Sequence, residues 1–394
     1  MTKLLTATAI AALGATGALA DDVKLGVLLS FTGPIESLTP AMAAGAELAM
    51  AEVSGDANFF DGSTVTPVRG DATCVDAAAA TAAAERLVTS EGVKGIMGAD
   101  CSGVTGAVLA NVAVPNGILM ISPSATSPAL STAEDDGLFF RTAPSDARQG
   151  EVLAGILQEK GISNVAVTYT NNDYGKGFAD AFGAAFEAAG GAITLSTAHE
   201  DGKADYSAEV GALASAGGDA LVVLGYVDQG GAGVIQGALD SGAFELFALG
   251  DGMIGDSLTA TFGGDIDGTF GTAPGSDNEG GAAFAELATS AEFDGTSVYA
   301  SESYDAAALI LLAMAAAGST DASEYKGKVM DVANAPGEPI LPGELSKALE
   351  IIAGGGDVDY VGASAVELVG PGEAAGSYAE YMVDGGALKV TGYR

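Results

Sequence analysis

Six polar or aromatic side chains stand in loops that directly follow apolar runs typical of buried strands: Ser102, Ser124, Thr126, Tyr174, Tyr226 and Asp251. Hydroxyl groups and the free N–H groups at a helix start can bind a carboxylate. An aromatic ring at a strand end can cover an aliphatic group, and an aspartate can bind an ammonium group. Together these residue types favour binding of a small molecule that carries both charges.

Each of these residues also has a purely structural interpretation. Ser102 can cap the helix that we predict from Gly103, and Asp251 can cap a helix in the same way. The segment 122–128 (SPSATSP) can be a plain turn held by its two prolines. The residue types alone leave these alternatives open, so the placement of the loops has to decide between them.

No motif in the sequence indicates catalysis, a metal site or a resident cofactor, and we expect none of the three. There is no G-x-S-x-G nucleophile motif and no Walker sequence, although paired carboxylates stay an open alternative in so acidic a chain. The single histidine, His199, lies in a polar stretch and is expected on the surface, which disfavours a metal site.

One segment, 250–255 (GDGMIG), fits the dinucleotide-binding pattern and suggests a dehydrogenase as an enzyme alternative. The segment stands late in the chain and outside the first β–α–β unit. Asp251 within it would repel a pyrophosphate. We therefore favour a binding protein over an oxidoreductase.

The composition indicates a large, folded and strongly acidic protein. Hydrophobic residues make up 48% of the 394 residues, which excludes general disorder. A chain longer than about 250–300 residues generally divides its core, so we expect two lobes. A net charge of −37 excludes nucleic acid and anionic lipid as partners. The longest apolar segment, 306–317, is interpreted as a core helix, and no direct membrane insertion is expected.

The N-terminus has the pattern of a secretory signal peptide. Lys3 precedes an apolar run over residues 4–15, and residues 18–20 (ALA) fit the small-x-small cleavage rule. We expect residues 1–20 to be removed near Ala20 and the mature protein to be periplasmic. Because exported proteins with two cysteines usually pair them, we also predict a disulfide between Cys74 and Cys101.

Apolar runs alternate with helical patterns in two series, which predicts two parallel sheets covered by helices. The predicted strands span residues 23–29, 64–69, 93–98, 117–122, 164–169, 192–196, 220–224 and 245–249. The predicted helices span residues 40–53, 76–90, 103–112, 146–160, 177–189, 206–215, 232–239 and 304–317. In such α/β sheets ligands bind beyond the carboxyl ends of the strands, so two facing lobes would leave a cleft between them.

Five ordered segments carry a resemblance to a known family: GDATC at 70–74, GADCSG at 98–103, ILMISPSATSPALS at 118–131, FFRTAPSDARQG at 139–150 and NNDYGKG at 171–177. The chain resembles the leucine/isoleucine/valine-binding proteins, the type I periplasmic receptors of ABC transporters. The resemblance extends over nearly all of the mature chain. It also implies that the two cysteines form the disulfide of lobe one.

The resemblance implies an α/β fold of two doubly wound parallel-sheet lobes joined by a three-strand hinge. Lobe one would comprise residues 21–143 and 275–375, and lobe two residues 144–274 and 376–394. The chain would cross between lobes near 142–143, near Pro274 and near 375–376, and the lobes would close on the ligand there.

The resemblance also assigns roles around the charged groups of an α-amino acid. Ser102 and Thr126 match residues that bind the α-carboxylate through hydroxyl and backbone N–H groups. The carbonyl of Ser124 would accept a hydrogen bond from the α-ammonium group, and Ala125 belongs to the same ligand-binding loop. Asp251 matches an acidic residue that pairs with the ammonium group, where the family often has the longer glutamate.

The remaining positions implied by the resemblance concern the ligand side chain. Tyr174 and Tyr226 match aromatic residues of lobe two that close over the ligand. Leu38 stands where an aromatic residue commonly lines the side-chain pocket, and Gly103 replaces a small hydroxyl residue. A smaller aromatic wall suits a bulky aliphatic side chain.

The implied function is that of a monomeric receptor that delivers an amino acid, leucine, isoleucine or valine, to an ABC permease in the inner membrane. Two alternatives keep the same fold. One is a receptor for an amide, a urea or an aromatic acid, although Asp251 speaks against an acid that lacks an amine. The other is a sensory module that reports ligand occupancy to a partner protein.

Overall fold

Strands alternate with helices along the chain in the computed structural model, which describes residues 22–394. The predicted signal peptide at residues 1–20 and its cleavage site lie outside the described residues. The strands are β1 (Asp22–Leu29), β2 (Thr64–Asp71), β3 (Ile96–Gly98), β4 (Met120–Ser122), β5 (Phe139–Arg141), β6 (Asn164–Thr170), β7 (Ala192–His199), β8 (Ala220–Leu224), β9 (Phe247–Leu249), β10 (Phe270–Pro274), β11 (Glu338–Ile340), β12 (Val358–Tyr360), β13 (Leu368–Val369), β14 (Glu373–Ala374), β15 (Tyr378–Asp384) and β16 (Ala387–Tyr393). The helices are α1 (Thr39–Val53), α2 (Ala77–Glu85), α3 (Ser102–Val108), α4 (Val114–Asn116), α5 (Asp146–Glu159), α6 (Asp173–Ala188), α7 (Ser207–Ala216), α8 (Gly230–Ser241), α9 (Asp256–Phe262), α10 (Glu279–Ser290), α11 (Ala300–Ala317), α12 (Ala322–Tyr325), α13 (Val329–Ala333) and α14 (Leu345–Ala353).

Two seven-stranded sheets form the centres of two lobes, which confirms the predicted fold class. Their strand orders are β13-β14-β5-β4-β3-β1-β2 in lobe one and β16-β15-β10-β9-β8-β6-β7 in lobe two. The strands from β14 to β2 in lobe one and from β10 to β7 in lobe two all pair in parallel with their neighbours. Both lobes therefore have the same doubly wound order, with a switch point beside β1 and β3 in one and beside β6 and β8 in the other.

The chain passes between the two sheets three times. Strands of lobe one come from residues 22–141 and 368–374, and strands of lobe two from residues 164–274 and 378–393. The precise lobe boundaries within the connecting segments stay predictions. The first and third connections contact each other at Pro144 and Gly376. A Cβ atom on Gly376 would lie only 2.5 Å from the Pro144 ring, so the contact requires glycine at this position. Gly376 also has a φ of +60°, which glycine adopts without strain.

Helix α11 is the central helix of lobe one. It is long and apolar enough to cross a membrane by composition, but 78% of it is buried within the protein, where it packs against α1. The prediction of a core helix at 306–317 is therefore confirmed. In lobe two, Phe178, Phe182 and Phe186 of α6 are fully buried, because their spacing of four places them on one helix face.

Two expectations about the second lobe need correction. Helix α6 begins at Asp173 and not at residue 177, because the side chain of Asn172 accepts a hydrogen bond from the N–H of Gly175 and caps the helix. The expected surface position of His199 is wrong: only 1% of the residue is exposed. It ends β7 beneath Tyr206, its Nδ1 shares a hydrogen bond with Thr168 at 2.8 Å, and burial lowers its pKa to about 4.

The predicted disulfide between Cys74 and Cys101 is present, with an S–S distance of 2.05 Å. Cys74 follows β2 and Cys101 follows β3, and these strands pair with β1 from opposite sides. The bond therefore joins two loops at the carboxyl edge of the first sheet. This edge is the one at which a ligand site is expected.

Replacing both cysteines by serine should lower the free energy of unfolding by about 3–4 kcal/mol, since the bond closes a loop with a sequence separation of 27 residues. Urea denaturation of the mature wild-type protein and of the Cys74→Ser/Cys101→Ser variant measures this difference. A thiol titration of the native wild-type protein is the control. Two reactive thiols in the native protein, or equal unfolding midpoints, would contradict the prediction.

Candidate ligand-binding site between the two lobes

The strand-end loops of both lobes meet around one cavity. Its lining residues are Ile35, Leu38, Asp100, Cys101, Ser102, Ser124, Tyr174, Tyr226, Asp251, Gly252 and Tyr299. Six of the eight residues predicted from sequence therefore lie together. The other two, Ala125 and Thr126, are fully buried in the same loop as Ser124 but do not line the cavity.

The cavity is closed in this conformation. Its volume is about 20 Å³, which is close to the minimum that holds one water molecule. Hydrogen bonds cross between the lobes at its rim: the N–H of Ser37 donates to Asp228 at 2.8 Å, and the N–H of Asp228 donates to the carbonyl of Pro34 at 3.1 Å. An amino acid is larger than this space, so we expect the lobes to separate before a ligand enters.

Asp251 lines the cavity and is 2% exposed. Its carboxylate accepts hydrogen bonds from two tyrosine hydroxyls, that of Tyr174 at 2.7 Å and that of Tyr299. Burial raises the pKa of the Asp251 carboxyl, and the two hydrogen bonds offset part of that rise. Since Tyr299 precedes a helix of lobe one, the carboxylate also connects the two lobes.

The glycines on either side of Asp251 make room for Tyr174. A Cβ on Gly252 would lie 3.1 Å from the Tyr174 hydroxyl and 2.6 Å from the carbonyl oxygen of Gly225. A Cβ on Gly250 would lie 2.8 Å from the ring of Phe178 and 3.1 Å from the same hydroxyl. The glycines at 250 and 252 are thus explained by close packing around Tyr174 and do not require a bound dinucleotide.

Three tyrosines form the aromatic side of the cavity. Tyr174 and Tyr226 stack with ring centroids 5.3 Å apart and an interplanar angle of 18°. The side chain of Asn172 donates to the hydroxyl of Tyr226 at 3.2 Å. Tyr299 was not predicted from the sequence, because it reaches the site only after the second crossing and its φ of +68° is uncommon for a residue with a side chain.

Hydroxyl groups form the side of the cavity contributed by lobe one. The hydroxyl of Ser102 accepts a hydrogen bond from the N–H of Ser127 at 3.1 Å, while Cys101 occupies the N-cap position of α3. Ser102 is therefore not a simple helix cap. The hydroxyl of Ser124 donates to the carbonyl of Asp100 at 3.0 Å, so the two loops of lobe one are tied together.

A buried arginine that the sequence analysis missed fixes the loop 122–128. Nη1 of Arg141 donates to the carbonyl oxygens of Ala125 and Ser127 at 3.0 and 2.9 Å. Its Nη2 pairs with Glu373 on β14 at 2.5 Å, and the arginine side chain is only 1% exposed. One feature of the sequence could have indicated a buried arginine: Arg141 directly follows two phenylalanines in the short apolar run that forms β5. Loop 122–128 is therefore a braced structure and not a plain turn.

Leu38 separates the closed cavity from a larger groove between the lobes. The groove has a volume of about 460 Å³ and Leu38 lines both spaces. A Cβ on Gly255 would lie 2.9 Å from a methyl carbon of Leu38, so this leucine packs directly against lobe two. It is the wall that a ligand side chain would meet on that side.

Two doubly wound lobes that close over a small site at their switch points define a two-lobed solute-binding protein. Comparison with known proteins agrees: residues 22–332 match the family described as periplasmic binding protein, and the chain belongs to that family. It is 32% identical to Leu/Ile/Val-binding protein homolog 3 of Brucella melitensis over 83% of this chain and 88% of that protein. The chain is thereby placed among the Leu/Ile/Val-binding proteins.

Solved structures show the same fold. A leucine-binding protein of Thermotoga maritima superposes with a TM-score of 0.79 at 22% identity, covering 94% of this chain and 98% of that one. A solute-binding protein of an ABC transporter from R. palustris, in complex with 4-hydroxybenzoate, superposes with a TM-score of 0.76 at 18% identity. It covers 95% of this chain and 97% of its own.

Replacing Arg141 by alanine should lower the free energy of unfolding by about 3–5 kcal/mol, because Glu373 and two loop carbonyls lose a buried cationic partner. Denaturant unfolding measures the change. Arg148→Ala is the matched control: the Arg148 side chain is 53% exposed, and we expect less than about 0.5 kcal/mol. Equal effects of the two substitutions on the free energy of unfolding would show that Arg141 does not stabilise loop 122–128.

Proposed function

We propose that the protein is a periplasmic receptor that binds an aliphatic α-amino acid, leucine, isoleucine or valine, and delivers it to an ABC permease in the inner membrane. The observation that carries the proposal is the polarity of the cavity. A carboxylate held by two phenols, that of Asp251, lies on one side, and the hydroxyls of Ser102 and Ser124 lie on the other. Such a site complements a zwitterion.

The proposed contacts follow from this polarity. The hydroxyls of Ser102 and Thr126 bind the ligand carboxylate, and that of Thr126 is fully buried with no hydrogen-bond partner among residues 22–394. The carbonyl of Ser124 and the carboxylate of Asp251 accept from the ammonium group. Ala125 contributes backbone, with its carbonyl oxygen already engaged by Arg141.

The aliphatic part of the ligand is proposed to lie against aromatic and apolar surface. The stacked rings of Tyr174 and Tyr226 cover it from lobe two, and Leu38 closes the cavity toward the interlobe groove. The ligand is bound and released without chemical conversion, and opening about the three crossings controls its exchange. We further propose that the receptor acts as a monomer after its signal peptide is removed near Ala20.

An acid without an amine is the competing ligand class. The R. palustris structure contains 4-hydroxybenzoate, and three tyrosines surround the cavity described above. Without an ammonium group, however, such a ligand would bring a second negative charge toward the carboxylate of Asp251 in a buried site. This repulsion favours the amino acid.

L-leucine should raise the unfolding midpoint of the mature protein, because a ligand at 100 times its Kd adds about 2.7 kcal/mol of stability. Thermal unfolding with L-leucine is compared with 4-methylpentanoate, which has the same side chain and carboxylate but no amine, and with 4-hydroxybenzoate. We expect a shift with leucine alone. A shift with the amine-free acids alone would contradict the proposal and show that the receptor binds acids without an amine.

Asp251→Ala should weaken leucine binding by about 2–5 kcal/mol, because the ammonium group would lose its buried anionic partner. Isothermal titration calorimetry measures the affinity. Asp240→Ala is the control, since Asp240 is exposed on α8, does not line the cavity and accepts a hydrogen bond from Gln236 of the same helix. A loss of less than tenfold for Asp251→Ala would mean that the acid does not hold the ammonium group.

A further inference from the structure

A second buried carboxyl group, that of Asp146, lies next to loop 122–128. Asp146 is the first residue of α5 and is 0% exposed. Its N–H donates to the carbonyl of Thr126 at 2.9 Å, which fixes it next to the ligand-binding loop. Neither of its carboxyl oxygens, nor the hydroxyl of Thr126, has a hydrogen-bond partner among the described residues. Buried polar groups are nearly always hydrogen-bonded, so a fully buried carboxyl group next to this loop calls for an explanation.

The charged and titratable groups near Asp146 are Asp251, Tyr174, Tyr299, Tyr378 and Arg141, and Arg148 lies near Tyr378. Burial raises the pKa of Asp146 well above its ordinary value, and the charge of Asp251 raises it further. The Thr126 hydroxyl, which lies near the carboxyl although the two form no hydrogen bond of regular geometry, and the charge of Arg141 offset part of the rise. Because Arg141 is also paired with Glu373 at 2.5 Å, its charge compensates the two aspartates only in part.

We propose that Asp146 and Asp251 act as one anionic pair that holds a proton until the ammonium group of the ligand replaces it. This inference rests on the proposed function and deepens it. Two like charges in one buried site do not both ionise easily, so the pair keeps one proton in the absence of a cation. The ammonium group enters with its own three protons, the carboxyl O–H bond ionises, and that proton leaves to solvent.

The exchange makes binding dependent on pH with a defined sign. The pKa of the pair is raised without ligand and is lowered by the ammonium charge, so the bound state holds fewer protons. Affinity is therefore highest above the raised pKa and falls as the pH decreases through it, by up to about tenfold per pH unit. The same exchange selects ligands with an amine, since a neutral or anionic group cannot displace the proton.

Proton release is measured with L-leucine by titration calorimetry in two buffers of different ionisation enthalpy, from about pH 8 to about pH 5. For the wild-type protein we expect up to one proton released per leucine, rising toward the acidic end. In Asp146→Asn the pair is lost, so release should fall to near zero and the affinity should change little with pH. Asp180→Asn removes the same charge from an exposed position on α6 and should behave as wild type.

Wild-type heats that are the same in both buffers, with leucine bound, would overturn the proton exchange and leave the receptor function intact. Undiminished release by a folded Asp146→Asn would also overturn it, because another group would then supply the proton. If Asp146→Asn does not fold, the wild-type affinity across the pH range decides alone. No leucine binding at any pH would overturn both the receptor proposal and this one.

Discussion

The interaction on which the site depends is the burial of the Asp251 carboxylate between two lobes. An ionised carboxyl removed from water is costly unless donors or a cation compensate it. Tyr174 and Tyr299 supply hydroxyl donors from different lobes, and Tyr174 reaches the carboxylate only because residues 250 and 252 are glycines. The two hydroxyl groups that stabilise this charge therefore come from both sides of the closed cleft.

Much of this architecture follows from local sequence signals. The strand-end rule placed Ser102, Tyr174 and Asp251 at one cleft because parallel strands expose their carboxyl ends on a shared edge. The alternation of strands and helices gave both sheets their doubly wound order. Strand β10 was not predicted, because its sequence FGTAP contains glycine, threonine and proline in place of a continuous apolar run, and the polar stretch around His199 hid a buried strand end.

The residues that escaped prediction act across the chain crossings. Tyr299 and Arg141 meet partners 48 and 232 residues away, Asp251 and Glu373, and no local pattern reports such pairs. Arg141 has a further effect because Glu373 lies on β14, just before the third crossing. The carbonyls of Ala125 and Ser127 in loop 122–128 and the strand that leads into the third crossing are thus anchored to one guanidinium group.

The disulfide gives the two halves of the cleft unequal rigidity. Both cysteines of the chain lie in lobe one, where they clamp the loops after β2 and β3 across β1. The disulfide thereby restrains the loop that carries Ser102, and under the proposed function less entropy would be lost when a ligand carboxylate binds there. A ligand would bind first to the disulfide-restrained loops of lobe one, and lobe two, which carries Tyr174 and Tyr226, would then close over it. Differences in ligand preference between related receptors should then arise mainly from substitutions in lobe two, because these do not disturb the part of the site in lobe one.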